Sequence, residues 1–495
     1  MCPRPTLVTA RNNLSGSLMK TRHVINAVEI AGAIMALFAM TSLGLRAALR
    51  LELRWDTLSY HLPFAAMHAR MNIPYELPPL LEAYYQGFPP LAEFVQGLLW
   101  RFTGSVNATG VVNYLALCLF LFFAARYLSA RIWLTTIISL TAPLVLIHAA
   151  SSYNDLFTNA LLAIAVTAVM AMILFDRWSE SRLLLWGLSG AVASAWSKFT
   201  VLPIVLLLFA CLLAVYVRSF RQAGRRQPLL WVSIALAFAL LPCLKNWMLY
   251  GNPTWPYGFA ALKSRFPSKL DTRSVSGEQS PPPLRGASQP ELFFRSLFEI
   301  DHPTSYPDRE RWIIDQGNGW MAFRSGGFWV VSVATTAFAA VLLGFLSRPR
   351  HGVVIAAAIA VFWGLLAITP QSHELRYYLF LPLTNAALIA IFLPRVVPLY
   401  PATALVVLTV ILGEFVWVSK INRAYYRVER VGLDEAAEAY NVKGFWTQLQ
   451  PGITYCAAGF APAAFLLTGP TLHEFRIVDR DSAAECPPNT TILQR

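Results

Sequence analysis

Apolar runs of about twenty residues recur along the whole chain, and nothing else in it constrains the fold as strongly. The first, INAVEIAGAIMALFAMTSLGL, begins at Ile25, and the last ends near residue 418. Each can cross ~30 Å of hydrocarbon, where helices satisfy every backbone amide within their own segment. The spans read from these runs are 25–46, 110–128, 132–149, 154–175, 183–197, 198–217, 229–250, 326–347, 352–370, 376–394 and 397–418. That makes about eleven transmembrane helices. The 183–197 run is short and carries Ser189, Ser194 and Ser197. Residues 88–104, FPPLAEFVQGLLWRFTG, are apolar but shorter than a span, and fit an amphipathic segment in the membrane surface. Composition agrees, with only 14% charged residues against about a quarter in soluble proteins.

The net charge of +13 is no sign of a nucleic-acid partner, because the basic residues punctuate the gaps between apolar runs. Arg4, Arg11, Lys20 and Arg22 precede the first span, Arg126 and Arg131 flank a short turn, and VRSFRQAGRRQP and SRPRHG are basic loops. The positive-inside rule puts all of them on the cytoplasmic side, and the number of spans makes those placements agree. The fold class that follows is an all-α polytopic membrane protein with a small α/β extracytoplasmic domain. Residues 1–24 form a cytoplasmic N-terminal segment, 25–418 the transmembrane domain with outer loops 47–109 and 251–325, and 419–495 the outer α/β unit. The expected location is the inner membrane, multi-pass, with the N-terminus cytoplasmic and the C-terminus outside. Within the long loop, SVSGEQSPPPLRGASQP has the composition of a mobile segment. In the tail, ITYCAAGF and HEFRIVDRD read as strands. Cys118, Cys211 and Cys243 fall inside apolar runs, where a thiol acts as a small hydrophobe. Cys456 and Cys486 can pair if the tail lies in an oxidising compartment, or can stay free.

The same topology gathers ionisable groups on the outer face. Asp56, Tyr60 and His61 lie in the first outer loop, Asp155 opens a span, Lys198 sits between two, and His373, Glu374 and Arg376 fill a short turn. Taken singly, Asp56 and Asp155 serve equally well as helix N-caps, Lys198 as a snorkelling side chain and His61 as a polar rim residue. Together they suggest a polar cavity, because charges near a membrane helix end are costly unless paired or solvated. Carboxylates beside Arg, Lys and His suit chemistry on an anionic substrate.

Four stretches in order then resemble a known group: RWDTLSYH, AYYQGFPPL (with Tyr85), YNDLFTNA and GLSGAVASAWSKFT. The chain resembles the GT-C superfamily of polytopic glycosyltransferases, which use polyprenyl-phosphate-linked sugars and include protein mannosyltransferases and the aminoarabinose and lipopolysaccharide-sugar transferases. The resemblance covers about residues 25–215 well and the remainder loosely. It implies that Asp56 sits at the catalytic centre, as base or orienter of the acceptor, and that Asp155 matches a second acidic position that helps bind a metal in some relatives. Relatives often carry two adjacent acids at the first site, where this chain has Asp56 followed by Thr57. They often carry a basic residue before Pro-Pro-Leu, where it has Gln86.

The leading expectation is a membrane glycosyltransferase moving a sugar, with inversion, from a polyprenyl-phosphate donor to a cell-envelope glycan, lipid or protein acceptor. Asp56 is its catalytic residue, and Tyr60, His61, Tyr85, Lys198, His373, Glu374 and Arg376 are substrate-binding candidates. Repulsion between Asp56 and Asp155 is relieved either by a divalent metal, Mg²⁺ or Mn²⁺, or by Lys198 and Arg376. A polysaccharide polymerase or ligase is the alternative, kept open by Arg265, Arg273, Arg285 and Arg295 in the long loop. A transporter is disfavoured. Glu29 and Glu414 are the acids within spans, and the chain shows no matching broken helices in two halves.

Overall fold

Two helices occupy the middle of the bundle, and their sequences explain why. Asp155–Phe175 carries Ala160, Ala163, Ala165, Ala168 and Ala171, small side chains that let neighbouring backbones approach closely in a membrane. Phe380–Val396 is buried along nearly its whole length against it. The computed structural model describes residues 7–71, 73, 75–223, 227–258, 268, 270–271, 286–298, 328–370, 372, 374–469 and 476–494. Arg265, Arg273, Arg285 and positions 274–285 of the stretch expected to be mobile fall outside them, while the end of that stretch, Gln289 and Pro290, opens the helix Gln289–Phe298. Around the central pair stand Ala27–Leu49, Gln227–Tyr250, Pro349–Ala367 and Pro401–Lys420, which leave large apolar side chains such as Leu37, Phe38, Trp247 and Met248 facing outward. A soluble protein would cover such residues; a bilayer does it here.

Each of the eleven expected spans is helical over most of its described residues. Eight helices among the described residues are long and apolar enough to cross a membrane. The other three differ for separate reasons. The 132–149 span is not one helix: it breaks at Ala142, whose extended backbone precedes Pro143, so Ile132–Thr141 and Pro143–His148 are distinct. Proline disfavours the helical conformation for the residue before it, which accounts for the break. Ser181–Ala195 is a single short helix of 15 residues. In Phe328–Ser347 the apolar stretch with described side chains starts at Ser332. The 88–104 segment is a helix, Leu91–Thr103, that buries Ala92, Glu93, Gln96, Gly97 and Trp100 and exposes Phe94 and Phe102.

Beyond the bundle, the tail forms a parallel sheet that is not built from the tail alone. Strand order is Tyr75–Glu76, Arg476–Arg480, Thr454–Ala458 and Thr491–Gln494. The edge strand thus comes from the first loop, some 400 residues upstream, with Tyr75 opposite Ile477 and Glu76 opposite Val478. Tyr75 Oη donates to Asp479 Oδ2 at 2.6 Å, and Glu76 pairs with Arg476 and Arg480. One apolar core joins Leu58, Leu62 and Phe64 of the loop to Phe460, Phe465 and Leu466 of the tail. Cys456 and Cys486 are joined by a disulfide, with Cα atoms 5.8 Å apart.

Candidate active site

Asp56 stands at the head of a single π-helical turn, Thr57–His61, and its carboxylate caps nothing. Arg376 Nη1 donates to Asp56 Oδ2 at 3.0 Å instead. Both side chains are buried. Arg376 Nε lies 3.3 Å from Glu374. The arginine sits in a tight turn, Leu375–Tyr378, that leads into the central helix. Asn159 fixes that turn from the neighbouring helix: its Nδ2 donates to the Arg376 carbonyl at 3.4 Å and its Oδ1 accepts from Phe380 N at 3.0 Å.

Buried Asp155 pairs with half-buried Lys198, whose ammonium also donates to Asn154 Oδ1 at 3.2 Å. The Asp155 Oδ2 atom meets no donor. Lys198 lies in extended backbone between two helices, which frees its side chain to reach across. Tyr377 couples the pairs: Lys198 Nζ is 4.0 Å, and Arg376 Cζ 5.3 Å, from the centroid of its ring. Asp56, Arg376, Tyr377, Lys198 and Asp155 therefore form one continuous chain of contacts.

A third layer comes from the amphipathic helix. His61 Nδ1 lies 3.0 Å from Glu93 Oε1, which also accepts from Asn154 Nδ2 at 2.9 Å. Burial works against the charge of Glu93, but the hydrogen bond and charge of His61 outweigh it and hold the carboxyl below its ordinary pKa. Gly97 makes this helix fit, because a Cβ there would meet Ala65 O at 1.9 Å. The loop before Asp155 is held on its other side by Asn113, which donates to Ser151 O at 2.9 Å and accepts from Phe157 N at 2.7 Å.

The remaining sequence candidates divide. Tyr60 packs with its ring 4.3 Å from His61, and burial, then Asp56, push its phenol well above the ordinary range. Tyr85 points elsewhere, stacking 4.5 Å from His68. The neighbouring Tyr84 takes the place expected for it, with its ring 6.4 Å from Tyr60 and its pKa pushed up to about 12 by burial and then by Asp56. His373 lies outside the described residues. Gln86 turns its side chain back to Glu82, while Lys245, from a different helix, donates to the Gln86 carbonyl at 2.6 Å. Spatially, then, the Gln86 position does have a basic neighbour. Glu93, Asn113, Asn154 and Lys245 are members of this neighbourhood that sequence reading passed over; an acid inside the short apolar run LAEFVQ was the one available signal.

The donors present do not assemble a metal site. Among the described residues no group of three His, Cys, Asp and Glu side chains could hold an ion, and Asp56 and Asp155 each face a cation.

No family model and no curated protein sequence matches the chain. The structure of ArnT from Cupriavidus metallidurans bound to undecaprenyl phosphate does match, at 15% identity and TM-score 0.51, covering 94% of this chain and 89% of that one. The chain has the ArnT fold. ArnT from the same organism in the apo state aligns at 14% identity over 97% and 90% of the two chains, with TM-score 0.46. The match to ArnT bears out the helical, polytopic membrane fold with a small C-terminal sheet that the sequence led us to expect.

On this ArnT-like scaffold an apolar groove runs beside the polar cluster. Two cavities of about 430 and 520 Å³ follow the Ser181–Ala195 and Gln227–Tyr250 helices and share Leu185, Leu188 and Trp231. The upper one is walled by Trp196, two residues before Lys198. An apolar channel whose wall comes within two residues of the half-buried Lys198 suits a molecule with a long hydrocarbon tail and an anionic head.

Proposed function

We propose that this protein is a polytopic glycosyltransferase that moves a sugar from a polyprenyl-phosphate donor to a hydroxyl-bearing acceptor of the cell envelope, on the non-cytoplasmic face. The observation that carries the reading is the continuous chain of contacts Asp56–Arg376–Tyr377–Lys198–Asp155, whose Lys198 lies two residues from a wall of the apolar groove. The fold shared with ArnT, whose structure holds undecaprenyl phosphate, adds support. The tail lies outside in this reading, and the Cys456–Cys486 disulfide fits an oxidising compartment.

The donor's hydrocarbon chain occupies the groove and its phosphate comes to Arg376 and Lys198, with Lys245 nearby. Phosphate competes with Asp56 for Arg376, which frees the carboxylate to accept a hydrogen bond from the incoming hydroxyl. The acceptor oxygen then bonds to the anomeric carbon as the bond from that carbon to the phosphate oxygen breaks. The hydroxyl proton passes to Asp56, and polyprenyl phosphate leaves with its charge held by the two cations. Asp155 keeps Lys198 charged and in place. Relief of repulsion between the acids falls to the cations, so the reaction needs no added divalent ion.

The test is Asp56→Asn, assayed for sugar transfer in membranes with matched protein levels. Loss of transfer by about 10²-fold or more fits a general base; unchanged transfer sinks the assignment. Arg295, the described arginine of the long loop, pairs with Glu291, so nothing specific favours the polymerase reading.

A further inference from the structure

The bundle carries a second polar cavity at the end opposite the Asp56 cluster. Asp155 opens its 21-residue helix beside Lys198, and Phe175 closes it at this cavity. At 1.5 Å per residue the two lie ~30 Å apart, about one hydrocarbon thickness. The cavity, of about 440 Å³, is lined by Arg348, Arg350, Arg395 and His351, with Asp176 the one acid among its lining residues. The arginines come from two helices, Arg348 and Arg350 from the head of Pro349–Ala367 and Arg395 from the last turn of Phe380–Val396, and meet at the end of a third, Asp155–Phe175.

A solvated basic rim is the ordinary explanation for arginines at a helix end, and two observations go beyond it. First, none of the three makes an ion pair among the described residues, whereas the adjacent Arg177 is taken up by Glu180. Asp176 pairs with none of them. Second, His351 is only 6% exposed and its Nδ1 has no hydrogen-bond partner. Its ring is fixed between Phe175 and Phe392, at 5.6 and 5.4 Å. Arg395 is fixed by the same aromatics, with Cζ 4.3 Å from the Phe175 centroid. Uncompensated guanidinium groups around a buried, unpaired ring nitrogen leave both charge and hydrogen-bonding capacity to be met from outside the chain.

We propose that this cavity binds a phosphate group at the membrane surface, carried either by an anionic phospholipid headgroup or by a soluble phosphate. Guanidinium groups match phosphate oxygens in bidentate fashion, and basic pockets between membrane helices suit lipid headgroups. The site is independent of the sugar-transfer reading, because it shares no residue with the Asp56 cluster.

The full chain, purified in detergent and stripped of lipid, is titrated separately with phosphatidylglycerol, phosphatidylcholine and inorganic phosphate. Lipid adducts are read by native mass spectrometry and phosphate by ³¹P line broadening. The expected result is saturable phosphatidylglycerol binding, preferred over phosphatidylcholine, and weakened by about tenfold or more in Arg348→Gln/Arg395→Gln, where charge-assisted hydrogen bonds are lost. His351→Phe, which keeps a ring between the two phenylalanines, should weaken it several-fold and serves if the double variant fails to fold. Saturable inorganic phosphate lost in the same variants, without a lipid preference, assigns the site to a soluble phosphate. Equal binding of both lipids with no saturable phosphate, or binding that neither variant alters, overturns the proposal.

Discussion

At the scale of single residues, Lys198 and Asp155 make a discriminating pair. Removing one partner of a buried ion pair strands the other, at a cost of about 3–5 kcal/mol. Lys198→Met should therefore lower the melting temperature and abolish transfer. Adding Asp155→Asn should restore the melting temperature and leave transfer low, because the phosphate still lacks its cation. Recovery of both together would make Lys198 merely structural. A companion measurement concerns metals: transfer should persist in EDTA and fall by about 10²-fold or more in Arg376→Ala. Loss with chelator and rescue by Mg²⁺ would defeat the cation-relieved site.

Asp479 gives a pH test outside the membrane. Burial raises its pKa from 3.8 to about 6 in spite of the hydrogen bond from Tyr75. The folded state then holds the proton more tightly than the unfolded one, so stability falls as pH rises between these values. Asp479→Asn should stabilise the protein at pH 7.5 by ~2–3 kcal/mol, and the advantage should shrink towards pH 4. Melting curves at both pH values check it; an advantage of equal size at each pH would exclude this origin.

The same scale shows how far sequence could go. Asp56, Asp155, Lys198 and Arg376 were legible as neighbours because membrane topology places loop residues at one depth. Their partners were not: Arg376 lies 320 positions from Asp56, and no local pattern encodes such a pairing. Tyr84 and Tyr85 differ by a single helical step of ~100°, enough to turn one towards Asp56 and the other away.

At the scale of elements, close approach of two helices sets the distance between Asp155 and Lys198. A Cβ on Gly190 would meet Leu161 O at 2.5 Å, whereas one on Gly187 would meet Ala168 Cβ at an ordinary 3.4 Å. Gly190→Val should push the Ser181–Ala195 helix off Asp155–Phe175, cost about 1–3 kcal/mol, and reduce transfer. Gly187→Ala should be close to neutral in both melting and transfer. Equal effects would show that helix spacing does not govern the cluster. Apolar runs announced these helices clearly, because bilayer thickness dictates their length. The break at Ala142 was less visible, since Pro143 lies within a run whose hydropathy never falters.

At the scale of the whole molecule, the tail was legible as an α/β unit but not as a partner of the first loop, because the edge strand Tyr75–Glu76 is only two residues long. The tail also grips the loop elsewhere: Leu51 N donates to Val431 O at 2.8 Å, and Tyr440 Oη to Leu53 O at 2.7 Å. Closing a loop with 30 positions between its cysteines, the disulfide contributes ~3–4 kcal/mol on a chain-entropy estimate. Cys456→Ser/Cys486→Ser should therefore lower the melting temperature of the tail, and alkylation of the parent protein without reductant should leave both thiols unmodified. Free labelling of both would exclude the bond.

The borrowed edge strand also sets a clock on synthesis. A ribosome releases Asp56 hundreds of residues before it makes Arg476–Arg480, and chains fold from the N-terminus as they emerge. During that interval the loop carrying Asp56 lacks its flooring, and for most of it Arg376 has not yet been made. In the proposed reading activity thus waits on the Arg476–Arg480 strand, and a prematurely terminated chain ending near residue 430 should sit in the membrane without transferring sugar.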